Sequence, residues 1–380
     1  MSARGQTRQL VGFTLLGAAT AWNAGNIGPA AGEIAAGLDV SLAAVGVLGG
    51  TVFFAGLVVA KLGAAHLTDR IGAGGATRVA CLAAVAGNVM IAISPAFAVI
   101  AAGRLLTGLS LGLALVLGPV LARAAGGVRL VGLFGASVTI GTAAALGVGS
   151  LMRGAGVDWR IDFVVAALIA LVAFAALPAV ASVEISAGSV LALARRSSRR
   201  LPAWRLELLF MTALGVPYVL GVWLIPYLTD EAGFSAALAG IFGVVLYATS
   251  AVFRPEGSRL EAGGTSLTLL AGIAPLIAAA GLVLLAISDS TVAVIAGVAF
   301  AGVGFAVPYA AMYDEAERLF PNARVAAVGL FSVGANILPL AIMPAVGAAI
   351  GAGRGELALL GLAAITVLAA LANLRPPAPS

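Results

Sequence analysis

AKLGAAHLTDRIGAGGATR, residues 60–78, sets five ionisable side chains, Lys61, His66, Asp69, Arg70 and Arg78, between two long apolar runs. A polar hinge in that position reads as the short loop joining two membrane helices, with Asp69, Arg70 and Gly72 in the arrangement L-x-D-R-x-G. The composition agrees, because a chain that is 61% hydrophobic and 10% charged carries more apolar surface than one soluble core can hide. Its net charge of +5 fits basic residues gathered in cytoplasmic loops better than a nucleic-acid partner. Cys81 is the one cysteine and His66 the one histidine. An internal disulfide, a cysteine metal cluster and a histidine-held zinc or haem are therefore argued against, and no cofactor is expected.

Crossing roughly 30 Å of hydrocarbon takes about 20 apolar residues, and about twelve such runs lie between residues 10 and 374. The first, from about Leu10 to Gly32, exceeds the core of a signal peptide and is read as a retained helix. Residues 79–122 hold a single charge, Arg104, and are too long for one crossing, so the chain is expected to fold back at Ser94-Pro95. The eighth run is taken to end at residue 253, which leaves Arg254 as a charge at the edge of the next loop.

With the N-terminus placed in the cytoplasm, seventeen of the 21 basic residues fall on that side. Arg153, Arg160 and Arg354 fall on the other, and Arg104 lies within a span. The bias predicts both termini cytoplasmic and an even number of helices. The longest and most basic connector, residues 184–205, divides the chain into an N-terminal unit, 1–183, and a C-terminal unit, 206–380, each with six spans. Ser189 to Arg200 is read either as a solvated linker or as a short helix on the anionic leaflet. After the eighth span, Glu261 and Gly264 repeat the spacing of Asp69 and Gly72, a weak sign of duplication.

The loop 60–78 resembles the one between helices two and three of the major facilitator superfamily, although Ala65 stands where that pattern has its first glycine. GRLLTGLSLG, residues 103–112, resembles the R-x-x-x-G-x-x-x-G of helix four in that family, and DWRIDF, residues 158–163, is similar to the W-R-x-x-F that introduces helix six. FRPEG after helix eight and AERLFP, residues 316–321, match more loosely. The resemblance implies an all-α polytopic membrane protein with twelve transmembrane helices in two six-helix bundles related by a pseudo-twofold axis. It implies a monomeric secondary transporter of the cytoplasmic membrane, moving a small solute by alternating access, with proton coupling left open.

Arg104 stands out because a guanidinium inside a span costs about 2.5–3.5 kcal/mol on insertion scales, so it must meet a cavity or a partner. Thr107 lies on the same helix face. Asn23 and Asn26 share a face of helix one, Trp223 lies in helix seven and Tyr309 in helix ten. The resemblance places helices one, four, seven and ten around the cavity, which makes these six residues the candidate substrate site. It also implies that Asp69, Arg70, Gly72 and Arg78, with Glu261 as their faint counterpart, form a cytoplasmic gate. Glu33 and Asp314 are the candidate coupling acids.

Two alternatives remain. A non-transporting scaffold or receptor would share the helices. FRPEG is also similar to nitrate and nitrite porters of the superfamily, in which arginines on helices two and eight hold the anion. Helix two here has no interior arginine and only Lys61 near its end, so that pattern is half met. An enzyme is argued against by the lack of any catalytic constellation.

Overall fold

The computed structural model describes residues 3–177, 190–197 and 200–374. Part of the helix expected over 189–200 lies outside these residues, and Val190–Ser197 is helical. Arg375 also lies outside them. Among the described residues, nine segments are long and apolar enough to cross a membrane. The first, Leu42–Ile93, reverses at Gly72 and so holds two rods, α2 (residues 42–71) and α3 (residues 73–93). Before them comes α1, Ala3–Gly25 continued by Ile27–Leu38. After them come α4 (Phe97–Gly127), α5 (Arg129–Gly154) and α6 (Arg160–Ala176). The second half holds α7 (Leu201–Asp230), α8 (Ala236–Ala262), α9 (Leu267–Ile287) and α10 (Thr291–Leu319). It ends with α11 (Arg324–Gly334 with Ile337–Gly351) and α12 (Gly355–Leu374). The described residues thus form the expected all-α bundle, and their order is consistent with twelve membrane helices.

Loop 60–78, the start of α7 and the turn between α8 and α9 lie at one end of the bundle, the linker end. The turns after α1, α3, α5, α7, α9 and α11 form the far end. Helices leave the turns where a side chain can satisfy their first free amides. Ser41, Ser235, Ser266 and Ser290 sit in extended backbone and accept from the amide three residues on.

The duplication that Asp69/Gly72 and Glu261/Gly264 hint at is written in register through the structure. The capping serines of α2 and α8, Ser41 and Ser235, are 194 residues apart. α3 meets α4 where Gly87 faces the Gly103 carbonyl, and α9 meets α10 where Gly281 faces the Gly297 carbonyl, again 194 apart. Within α2 the residues Val47–Val52 form a π turn, which takes up one extra residue; beyond it Lys61 and Arg254 are 193 apart, and the loop pair Gly72 and Gly264 is 192 apart. The loops that follow turn on Gly72 (φ 74°) and Gly264 (φ 90°), a left-handed backbone open to glycine at little steric cost.

The two halves meet tightly at the far end. A Cβ on Gly28 of α1 would lie 2.7 Å from the Gly221 carbonyl oxygen of α7. One on Gly46 of α2 would lie 2.6 Å from the Met343 carbonyl oxygen of α11, and one on Gly240 of α8 would lie 2.4 Å from Ser150 Cβ of α5. The first two seams are closed there against backbone atoms and the third against the Ser150 side chain.

Candidate functional site

Arg104 is fully buried inside the N-terminal half. Its Nη1 donates to the Asn23 carbonyl at 3.0 Å and to Asn26 Oδ1 at 3.3 Å, and its Nε donates to the Leu48 carbonyl at 3.4 Å. Asn26 marks the break in α1, and Leu48 lies in the π turn of α2. Such irregular turns free carbonyls that a regular helix would use internally, and the guanidinium takes them up. Phe53 covers it at 4.4 Å. Nη2 of Arg104, Oδ1 of Asn23 and Nδ2 of Asn26 are buried without a partner. Thr107 donates to the Arg104 carbonyl at 3.0 Å and lies against Gly87 of α3. Arg104, Asn23 and Asn26 are therefore brought together, tying α4 to α1 and α2.

The other two expected substrate residues lie in the C-terminal half. Trp223 is buried and its Nε1 donates to the Met343 carbonyl at 3.1 Å, which ties α7 to α11 near the far end. Tyr309 is half-buried, with its ring 5.0 Å from that of Tyr313.

Arg254 lies over the Tyr309 ring at 4.5 Å. This corrects its expected place at a loop edge, because α8 continues through Pro255 to Ala262. The polar residues after Pro255 end the apolar run but not the helix. Arg254 Nη1 donates to Thr139 Oγ1 of α5 at 3.4 Å, across the seam between the halves, and its Nε is buried without a partner. The Tyr309 ring beneath it lies 5.0 Å from that of Tyr313, so the guanidinium sits at an aromatic pair of α10. Tyr247 is fixed by donating to the Pro217 carbonyl at 2.9 Å, and Tyr218 packs edge-on to Phe54 of α2. Sequence reasoning missed this grouping because Arg254, Thr139 and Tyr309 come from three helices, α8, α5 and α10. The one available signal was the stripe of Tyr247 and Arg254 along α8.

Lys61 forms the matching bond on the opposite seam. Its Nζ donates to Ser332 Oγ of α11 at 2.8 Å and to the Ser332 carbonyl at 3.0 Å. Lys61 and Arg254 are 193 residues apart, and so are their acceptors, Thr139 and Ser332. The two bonds are one contact made twice.

Asp69, Arg70 and Arg78 are exposed and form no ion pair with described residues, and Gly72 makes the turn. Glu261 is half-buried, with Asp314 and Arg318 acting on its charge. Asp314 is exposed. Glu33 pairs with Arg153 at 3.5 Å at the far end of α1. The N-terminal half also holds an acid that sequence reasoning did not single out. Asp162 of α6 is fully buried, accepts from Trp22 Nε1 at 2.9 Å and keeps Oδ2 without a partner.

Two registered helical repeats that meet along seams crossed by side-chain bonds are an architecture that many secondary transporters share. The model of the Major Facilitator Superfamily matches residues 13–328, and the chain belongs to that family. Among solved structures it is similar to a bacterial homologue of the human lysosomal transporter Spinster, inward-facing and unoccupied, at 18% identity and a TM-score of 0.77, covering 98% of this chain and 97% of that one. It is similar to the nucleoside transporter NupG at 15% identity and a TM-score of 0.79, covering 96% and 98%. It is also similar to a D-xylose-proton symporter at 16% identity and a TM-score of 0.76, covering 96% and 95%. At such identities the likeness is one of fold. No curated protein sequence matches the chain.

Proposed function

We propose that the protein is a monomeric secondary transporter of the cytoplasmic membrane that carries a small solute by alternating access, with its linker end and both termini in the cytoplasm. Residues 1–183 and 206–380 act as the two rocking halves, and 184–205 tethers them. The observation that carries this reading is the repeated pair of bonds, Lys61 to Ser332 and Arg254 to Thr139. They cross between the halves at two seams that close tightly further toward the far end, at Gly46 against Met343 and at Gly240 against Ser150. Tight contacts at one end and exchangeable side-chain donors toward the other suit halves that rock about a central site. The orientation is supported by basic residues, since the far-end turns hold only Arg153, Arg160 and Arg354 among the described residues.

The solute site lies between the halves, at Arg254, Tyr309 and Tyr218, while Arg104, Asn23 and Asn26 hold together the wall opposite. Asp69, Arg70 and Arg78 form a gate that is released in this state, which suits a form sealed at the far end and opening to the cytoplasm. Proton coupling is assigned to Asp162 rather than Glu33 or Asp314, because an ionisable group enclosed within the spans is functional by default, whereas those two face solvent or a salt bridge. The scaffold reading is set aside with membership of a transporter family. The anion-porter reading turns on Arg254, which lies inside the interface.

Counterflow in proteoliposomes, with sugars, nucleosides, amino acids, carboxylates and inorganic anions tested in turn, checks the proposal. Exchange of one class above the protein-free rate is expected. No exchange of any of them would overturn transport.

A further inference from the structure

Arg153 closes α5 at the far end with its side chain only 4% exposed, and none of its three guanidinium nitrogens has a hydrogen-bond partner. Its contact with Glu33, Nε to Oε1 at 3.5 Å, is an ion pair alone, and that carboxylate is 46% exposed. A guanidinium enclosed so completely calls for a firmer partner than a half-solvated acid. The same end of the bundle holds one. Asp162 of α6 is fully buried, accepts from Trp22 Nε1 through Oδ1 and keeps Oδ2 without a partner.

The two groups meet along one stripe of α5. A Cβ on Gly149 would lie 2.7 Å from Asp162 Oδ2 and 3.0 Å from Pro29 Cγ of α1, so a bare glycine makes the room that the carboxylate fills. Arg153 follows Gly149 by one turn of α5, as Glu33 follows Pro29 by one turn of α1. Arg153 and Glu33 thus stand about 6 Å of helix rise above the free oxygen of Asp162. Helical side chains lean back over the preceding turn, which aims Arg153 across Gly149 toward that oxygen, and a change of rotamer covers the distance. α6 packs against α1, α3 and α5, and among the described residues the other charges at this end are engaged or exposed. Arg160 pairs with Asp158 at 3.8 Å and lies over the Trp159 ring at 4.4 Å, Asp39 is exposed at the end of α1, and residues 79–96, the far-end part of α3 and its turn, carry no charge.

We propose that Arg153 is the counter-ion of Asp162 and is shared with Glu33: while Asp162 carries its proton the guanidinium stays with Glu33 at the rim, and once the proton leaves it turns inward and donates to Asp162 Oδ2. This rests on the assignment of Asp162 as the coupling acid above and names the positioning residue through which its charge acts. The arrangement described, with Oδ2 free and Arg153 beside Glu33, is the protonated arm of the exchange. The exchange also reaches the seam between the halves. Ser150, next to Gly149 on α5, is the side chain that Gly240 of α8 abuts, so drawing Arg153 inward acts on α5 beside its contact with the other half.

The test is infrared difference spectroscopy of the purified full-length protein across a pH series, reading the carboxyl C=O band that Asp162→Asn removes. In the wild type that band should titrate. Arg153→Gln should move its midpoint up by about one pH unit or more, since the charged carboxylate loses its cation, and Arg153→Lys should restore the wild-type value. Glu33→Gln, an exposed substitution that leaves Arg153 packed, should move the midpoint down, because the guanidinium no longer has a rim carboxylate to return to. In the Arg153→Gln background the same change at Glu33 should leave the midpoint in place. A midpoint indifferent to Arg153→Gln, a Glu33→Gln shift that persists without the arginine, or no band that titrates between about pH 4 and 10 would each overturn the exchange. Spectra that behave as expected while Asp162→Asn keeps pH-dependent transport would leave the exchange standing and remove the coupling role. Spectra independent of Arg153, with pH-independent transport by Asp162→Asn, would leave coupling standing and overturn the exchange.

Discussion

Trp22 Nε1 of α1 donates to Asp162 Oδ1 of α6 at 2.9 Å, and this one bond joins the first and last helices of the N-terminal half. Asp162 is fully buried, with its second oxygen unpartnered and the charge of Arg153 acting on it from α5. Asp162→Ala strands the indole N–H and is expected to lower stability by about 1–3 kcal/mol. Asp162→Asn keeps an acceptor for Trp22 and should lose less. If Asp162 is the coupling acid, Asn also removes the pH dependence of transport while leaving counterflow intact. Thermal midpoints, with transport rates at several pH values, check both parts; pH-dependent transport by the Asn variant would remove Asp162 from coupling.

Arg104 and Arg254 are predicted to respond unequally to the same change. Arg104→Gln frees the Asn23 and Leu48 carbonyls in the core of one half, and each buried polar group left unpaired costs on the order of 1–3 kcal/mol. Expression and thermal midpoint should fall together. Arg254→Gln gives up one 3.4 Å bond and the contact with the Tyr309 ring and should lower the midpoint of the empty protein less than Arg104→Gln does. Denaturation of both variants in detergent decides the matter, and a larger loss for Arg254 would reverse the roles given to the two arginines.

The membrane rods are legible from apolar run length alone, because hydrocarbon thickness sets that length whatever surrounds each helix. Gly72 is legible too, as the residue that lets Leu42–Ile93 turn back. Arg104 announces itself as a buried cation, yet its partners do not, since they are carbonyls freed by a broken helix and a π turn that leave no mark in residue type. The same π turn hides the repeat of Lys61 in Arg254 by shifting the offset from 194 to 193. Arg254 is further obscured by Pro255, which reads as a helix end and here lies inside one. Run length measures where lipid stops, and α8 continues past that point.

Glu231 offers a pH test at the far end, outside the spans. Both carboxylate oxygens accept from the Gly355 amide, at 2.8 and 2.9 Å, tying the end of α7 to the start of α12. Burial pushes its carboxyl above the ordinary range, with Glu356 adding to the shift and the Gly355 bond opposing it. A carboxyl raised on folding holds its proton more tightly in the folded state. Its contribution to stability is therefore complete below the unfolded pKa of about 4.3 and is lost as the pH climbs through the folded value. Glu231→Gln keeps an acceptor without the charge. The difference between wild-type and variant midpoints should change across that window and be flat above it, and a constant difference from pH 4 to 8 would refute the assignment.

Gly46 tests the far-end seal. A Cβ there would lie 2.6 Å from the Met343 carbonyl oxygen and 2.7 Å from Pro344 Cα, both backbone atoms that cannot swing aside. Gly46→Val therefore forces α2 and α11 apart where the seal is closest, and the penalty falls on the far-end-closed state alone. A carrier that alternates must reach both states, so each 1.4 kcal/mol of penalty shifts the population about tenfold toward the open form and slows turnover accordingly. Ile27, fully buried behind that seal, reports the shift. In a Cys81→Ser background, a cysteine at Ile27 should react with a membrane-impermeant maleimide from the far side at least tenfold faster when Gly46→Val is present. Gly32→Ala serves as the control, since nothing lies within 4 Å of a Cβ there, and it should leave the rate unchanged. Equal labelling with and without Gly46→Val would mean that the far end does not open, and the alternating-access reading would fall with it.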